Sequence, residues 1–183
     1  DFLAALAEAN DVDLSAFSRW YSQAGTPDLT ITRQSQTADS IELRLTQKLK
    51  ATAAGTATTA QPIPVRLGLV GAQGDMHSFS IDGEVAAAEQ TILLTGPEQT
   101  VTLALSAPTS RPVVPSALRG FSAPVRLHDD LSVEELAVLA AHDTDGFNRY
   151  EACQRLAHLA LKARLSSGEP ETATEEALAT ALS

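Results

Sequence analysis

The hydrophobic period of this chain changes twice, and that constrains its fold more than any other feature. Over residues 41–46, 65–69 and 101–105 apolar residues recur at every second position; Ile41, Leu43 and Leu45, for instance, are interleaved with Glu42, Arg44 and Thr46. A strand half buried on a sheet sends successive side chains to opposite faces, so a period of two is its mark. Before this block Phe2, Leu3 and Leu6, then Leu14, Phe17, Trp20 and Tyr21, recur at the three-to-four spacing of a helix face, and after Leu131 that spacing returns. The chain therefore reads as a β core with helices on both flanks.

Less regular strands are expected at residues 29–33, 76–81, 91–95 and 121–128, which brings the count to about seven. Short strands at this spacing, separated by turn residues, indicate an antiparallel β-sandwich over residues 27–128. Two short helices open the chain, with Asp13 placed to cap the second, and Gly25-Thr26-Pro27 turns it into the first strand. The small, polar and aperiodic residues 51–60 read as a flexible loop, and Gly68, Gly71 and Gly74 as a hairpin turn after the strand that begins near Val65.

Two to three helices are expected to close the chain. Ser132 followed by Glu135 is a capping box, with Leu131 and Leu136 placed as its hydrophobic staple. A second helix carries Phe147, Tyr150, Cys153, Ala157, Ala160 and Leu161 on one side, and Thr172 with Glu175 repeats the box for a third.

With 183 residues the chain can bury a sizeable core without disulfides or a structural metal. Its net charge of −10 and the lack of any dense Lys/Arg cluster argue against nucleic acid as a partner. No apolar run is long enough to span a bilayer, so no membrane association is expected. Cys153 is the one cysteine and cannot form an intramolecular disulfide, which fits a reducing compartment; a cytoplasmic location is the expectation. The chain opens at Asp1 with no signal pattern and no methionine, as a processed or excised piece would.

Tests for chemistry return no catalytic, metal or cofactor-binding residue. In HDTDGFNRYEA, Asp143, Asp145 and Gly146 match the middle of a calcium loop, but the first and twelfth places fall on Ala141 and Ala152, where carboxylates are required. That segment reads instead as a polar turn whose Asp side chains cap a helix. His77, His128, His142 and His158 are scattered and none is followed by Glu, so the H-E-x-x-H zinc helix is missing. Gly68, Gly71 and Gly74 have the wrong spacing for a dinucleotide fingerprint, no G-x-S-x-G elbow occurs, and Cys153 reads as a small core residue.

Taken together, DLSAFSRWYSQAGTPDLTI, PIPVRLGLV, AAEQTILL, PSALRGFSAPVRL and DGFNRYEACQRL resemble, in order, the middle section of the zinc aminopeptidase N family, the bacterial gluzincin aminopeptidases. The resemblance implies that residues 1–25 are the closing helices of a catalytic domain, 26–128 an immunoglobulin-like β-sandwich, and 129–183 the first helices of a C-terminal helical domain. It further implies a parent enzyme in which one zinc ion and a glutamate base activate water to release N-terminal amino acids from peptides. The family's H-E-x-x-H helix, Gly-x-Met-Glu-Asn loop and catalytic tyrosine do not occur here, so this chain is expected to be inactive alone. Tyr150 stands where the family often has tryptophan.

On this reading the sandwich links and orients its neighbours, and Phe17, Trp20, Tyr21, Phe121, Phe147 and Tyr150 are the expected interdomain packing residues. The partners are the adjoining catalytic and helical domains, with peptides as substrates of the parent. The apolar faces at the two ends are expected to fold back onto the sandwich or to pair with a second copy. The competing reading is a stand-alone immunoglobulin-like module that binds protein or carbohydrate.

Overall fold

A computed structural model describes residues 2–49, 59–167 and 172–181. The flanking helices and the sandwich both form. Helices α1 (Phe2–Asn10) and α2 (Arg19–Ser22) precede nine strands: β1 (Asp28–Gln36), β2 (Ser40–Lys48), β3 (Ile63–Gly71), β4 (Met76–His77), β5 (Phe79–Ile81), β6 (Glu89–Leu94), β7 (Glu98–Leu105), β8 (Val113–Ala117) and β9 (Arg126–Asp129). Helices α3 (Val133–His142), α4 (Gly146–Ser167) and α5 (Thr172–Ala181) follow.

One sheet has the order β5-β7-β2-β1-β9. The other is built on β3, with β6 and β4 along one edge and β8 along the opposite edge. Alternating residues of both sheets meet in a single core that includes Leu29, Leu43, Val65, Leu67, Phe79 and Leu103, as the period of two requires.

The structure refines the expected strand set in three places. The segment at 76–81 is two strands, because the chain leaves the β3 sheet after His77 and joins β7 of the other sheet from Phe79. β8 is an additional strand, with Pro115 opposite Leu69. Proline has no N–H to donate, and β8 tolerates it because it pairs on one side only. The segment at 121–128 is a strand only from Arg126, and β9 runs parallel to β1, so the sandwich is not wholly antiparallel. Parallel neighbours need a long connection, and here nearly the whole sandwich lies between them.

At its C-terminal end β3 is buried on both faces. Leu69 points into the sandwich core, whereas Val70 joins Val114 of β8 and Leu136, Leu139, Ala140, Ala152 and Leu156 of α3 and α4 in a second core. The helices thus use the outer face of the β3 sheet as a wall. α3 starts as expected: the Ser132 hydroxyl accepts the Glu135 N–H at 3.2 Å and the Glu135 carboxylate accepts the Ser132 N–H at 2.9 Å, while Leu131 and Leu136 both pack in the second core.

Other expectations fare as follows. The Gly71 to Asp75 segment is the turn after β3, closed by the Gly71 N–H donating to the Asp75 carbonyl at 2.8 Å. Cys153 is a half-buried member of the second core. Most of the 51–60 loop lies outside the described residues; Thr59 and Ala60 are bonded to Gln23 and Arg19 respectively. α1 buries no residue, whereas Ala177 and Leu178 of α5 pack on the second core. Among the described residues no helix is long and apolar enough to cross a membrane.

Candidate functional site

The junction between sandwich and helices is organised around one buried cation. Arg119 lies in a 3-10 turn (Arg119–Phe121) after β8 and is only 3 % exposed. Its Nε donates to Glu89 Oε1 of β6 at 2.9 Å, and its Nη1 donates to Asp143 Oδ1 at 2.5 Å and Ser116 Oγ at 3.0 Å. Its Nη2 donates to Thr144 Oγ1 at 2.5 Å. Ser116 Oγ in turn donates to Asp143 Oδ2 at 2.5 Å and accepts from Asn148 Nδ2 at 2.8 Å, which fills the capacity of that hydroxyl. Arg119, Ser116 and Glu89 belong to the sandwich; Asp143, Thr144 and Asn148 belong to the α3–α4 connection and the start of α4.

Burial by itself would lower the Arg119 pKa, but the Asp143 and Glu89 carboxylates beside it outweigh burial and raise it. A buried ion pair with its remaining hydrogen bonds satisfied holds geometry well, and losing one partner strands the other charge. The sheet makes room for this side chain at Gly68, where a Cβ would lie 3.0 Å from Arg119 Cδ and 3.0 Å from Met76 Cε. That glycine belongs to β3, not to the hairpin turn.

Asp145 performs the capping role expected of the HDTDG segment. Its Oδ1 accepts the Phe147 and Asn148 N–H groups, both at 3.0 Å, at the start of α4, while Oδ2 accepts the Gly120 N–H at 2.8 Å. Burial pushes its carboxyl up, but these three N–H groups and the Arg119 charge outweigh burial and hold it below the usual value. The same carboxylate therefore caps a helix and fixes the Arg119 turn. That turn needs fixing, since Leu118, Gly120 and Phe121 have φ of 58°, 62° and 54°. Glycine takes this conformation freely, but for Leu118 and Phe121 it costs on the order of 1 to 3 kcal/mol each.

Around this knot, Arg155 pairs bidentately with Asp129 at 2.8 and 2.5 Å, and Arg33 of β1 pairs with Glu135 of α3 at 2.6 Å. A cleft of about 330 Å³ runs along the seam, lined by Leu118, Val125, Leu127, Leu136, Phe147 and Arg155 among others.

The six aromatic residues singled out in the sequence fall into two groups. At the N-terminal entry Trp20 packs against the sandwich core and donates from Nε1 to the Pro62 carbonyl at 2.9 Å. Phe17 and Tyr21 meet edge to face at 6.0 Å and remain outside the core. At the junction Phe121 and Phe147 have ring centroids 4.0 Å apart, with Tyr150 6.5 Å beyond, and this group stays open to solvent: Phe121 is 66 % exposed and Tyr150 56 %.

The Arg119 to Asp143 pair itself was not legible in sequence. Both residues lie in the quoted segments, but nothing local couples a turn after one strand to a helix connection 24 residues later. Among the described residues no three His, Cys, Asp or Glu side chains converge as metal ligands.

What the site defines is a structural junction between a β-sandwich and a helical unit. The chain belongs to the family described as DUF3458, Ig-like fold, matched over residues 25–130, with its companion DUF3458_C, ARM repeats, over 133–183. It is 41 % identical over 182 residues to aminopeptidase N of Caulobacter vibrioides, which covers 99 % of this chain and 20 % of that protein. It is 32 % identical over 175 residues to aminopeptidase N of Escherichia coli, covering 93 % of this chain and 19 % of that protein. The chain therefore spans about one fifth of the length of these relatives. Among solved structures, Legionella pneumophila aminopeptidase A in complex with aspartic acid matches 90 % of this chain and 17 % of its own, with a TM-score of 0.68 at 23 % identity, a likeness of fold.

Proposed function

We propose that this chain is the non-catalytic interdomain section of a zinc-dependent aminopeptidase that removes N-terminal amino acids from peptides, and that its sandwich links and orients the catalytic and helical domains. On this reading residues 1–25 close the catalytic domain, 26–128 are the sandwich and 129–183 begin the helical domain. Zinc and the catalytic groups would come from elsewhere in a cytoplasmic polypeptide. Trp20 would anchor the entry from the catalytic domain, with Phe17 and Tyr21 beside it facing that domain.

One observation carries the linking role: the sandwich and the helices share the buried Arg119 knot, with hydrogen bonds from both sides satisfied. A connection of that kind transmits orientation, whereas a flexible tether would need no buried charge at its joint. The similarity to aminopeptidase N proteins over nearly the whole chain supports the choice of parent.

The test is to express the full polypeptide around this chain beside the chain alone. The full polypeptide should hold stoichiometric zinc and hydrolyse aminoacyl-anilides in a chelator-sensitive way, and the chain alone should do neither. Zinc-dependent turnover by the chain alone, or none by the full polypeptide, would overturn the proposal.

A further inference from the structure

Met76 is the one methionine of the chain, and its thioether is built into the Arg119 knot. It lies in β4, which among the described residues has β3 as its one strand neighbour, with Met76 opposite Val70. The side chain is half-buried against the second core. The space left by the missing side chain of Gly68 takes both Met76 Cε and Arg119 Cδ, each 3.0 Å from where a Cβ would stand. Thr144 joins sulfur to cation: its hydroxyl donates to Met76 Sδ at 3.8 Å and accepts from Arg119 Nη2 at 2.5 Å. A hydroxyl has one proton, and here the sulfur takes it.

These contacts fix what an oxygen added to the sulfur would meet. Thr144 is exposed and Met76 half-buried, so the sulfur lies at the rim of the seam, within reach of a small solute. Thioether sulfur is soft and oxidisable, and its sulfoxide is polar, chiral and reducible. With the oxygen on the side of Thr144, it occupies the gap that the present contact spans, so the hydroxyl must move and Arg119 Nη2 loses its acceptor. Either epimer also sets a polar oxygen on a side chain packed against Gly68 and the second core, where β3 leaves no spare room.

We propose that Met76 is a modification site: peroxide converts its thioether to the sulfoxide, which loosens the junction between sandwich and helices, and enzymatic reduction of the sulfoxide tightens it again. In the forward step a sulfur lone pair attacks one oxygen of hydrogen peroxide, an S–O bond forms as the O–O bond breaks, and the other oxygen leaves as water with both peroxide protons. The sulfur is oxidised and the peroxide reduced by the same electron pair. Cys153 is the other oxidisable sulfur, but the bonds that hold Arg119 do not involve it. The switch acts through the junction itself, whatever reaction the parent performs.

The test treats the full polypeptide with a graded series of hydrogen peroxide and reads Met76 oxidation by peptide mass spectrometry and amide hydrogen exchange on the same samples. Met76 should be converted before the polypeptide unfolds. Protection of peptides spanning the Arg119 turn and the α3–α4 connection should then fall about fivefold or more, the effect of one lost hydrogen bond to a buried group, with β2 and β7 unchanged. Methionine sulfoxide reductases for both epimers should restore it. Met76→Leu, a swap of similar volume, should keep its protection in peroxide. No oxidation of Met76 in the folded polypeptide, oxidation with protection unchanged, or an equal peroxide-induced loss in Met76→Leu would each overturn the proposal. Where Met76→Leu by itself loosens the junction, the native polypeptide decides: recovery under the reductases supports the site, and no recovery overturns it.

Discussion

Arg119 donates to Asp143 across 2.5 Å in a place where neither side chain is exposed by more than 3 %, and the two residues belong to different structural units. Removing the carboxylate leaves a buried guanidinium without its main partner. Asp143→Ala should therefore destabilise the chain by about 3 to 5 kcal/mol in denaturant unfolding, and the pair of changes Arg119→Met with Asp143→Leu should recover much of that loss. Arg44 and Glu98 form a pair nearly as short, at 2.6 Å, on the exposed face of the first sheet, and Arg44→Ala should leave the midpoint nearly unchanged. Equal losses at the two sites would show that burial is not what gives the junction its strength.

A side chain at Gly68 should be costly. A Cβ there meets Arg119 Cδ and Met76 Cε at 3.0 Å each, and Arg119 cannot withdraw without breaking its bonds to Glu89 and Asp143. Gly68→Ala is expected to cost about 1 to 3 kcal/mol by overpacking. An unchanged unfolding midpoint would mean that the Arg119 stem moves aside freely.

Asp145 makes the junction sensitive to acid. Its folded pKa lies below the ordinary value of 3.8, so in acid the unfolded state binds the proton more readily. The resulting stability is fully present above pH 3.8 and is lost as the pH falls through the lower, folded value. Urea midpoints measured across this range should fall with acidification, and the fall should be shallower in Asp145→Asn. Parallel curves for the two proteins would remove Asp145 from the account.

At the start of α3 the Ser132 and Glu135 box is closed in both directions. Ser132→Ala should cost about 1 kcal/mol, and Ser132→Thr should retain most of the cap. Thermal unfolding of the two variants separates a capping effect from a general response to substitution at this site.

How far the sequence reached follows from which signals are local. The period of two located β2, β3 and β7 because each has one face in the sandwich core, and the capping box located α3 because its four residues are contiguous. β8 escaped because Val113 faces one core, Val114 faces the other and Pro115 interrupts the pattern, so no alternation survives. Phe121 resembled a strand residue, but its surroundings hold it in a left-handed turn that no propensity would select. The Arg119 knot joins Glu89, Ser116, Asp143, Thr144 and Asn148 from four separate elements, and only the folded chain brings them together.

The most direct test of the central claim, that sandwich and helices form one orienting body, uses the only tryptophan in the chain. Trp20 packs on the sandwich core, so its fluorescence follows the sandwich, while far-ultraviolet circular dichroism is dominated by the helices. Both signals should be recorded through the same denaturant titration. Coincident transitions with a single midpoint are the predicted result. Two separated transitions, with the helices melting while Trp20 still reports a folded sandwich, would contradict it.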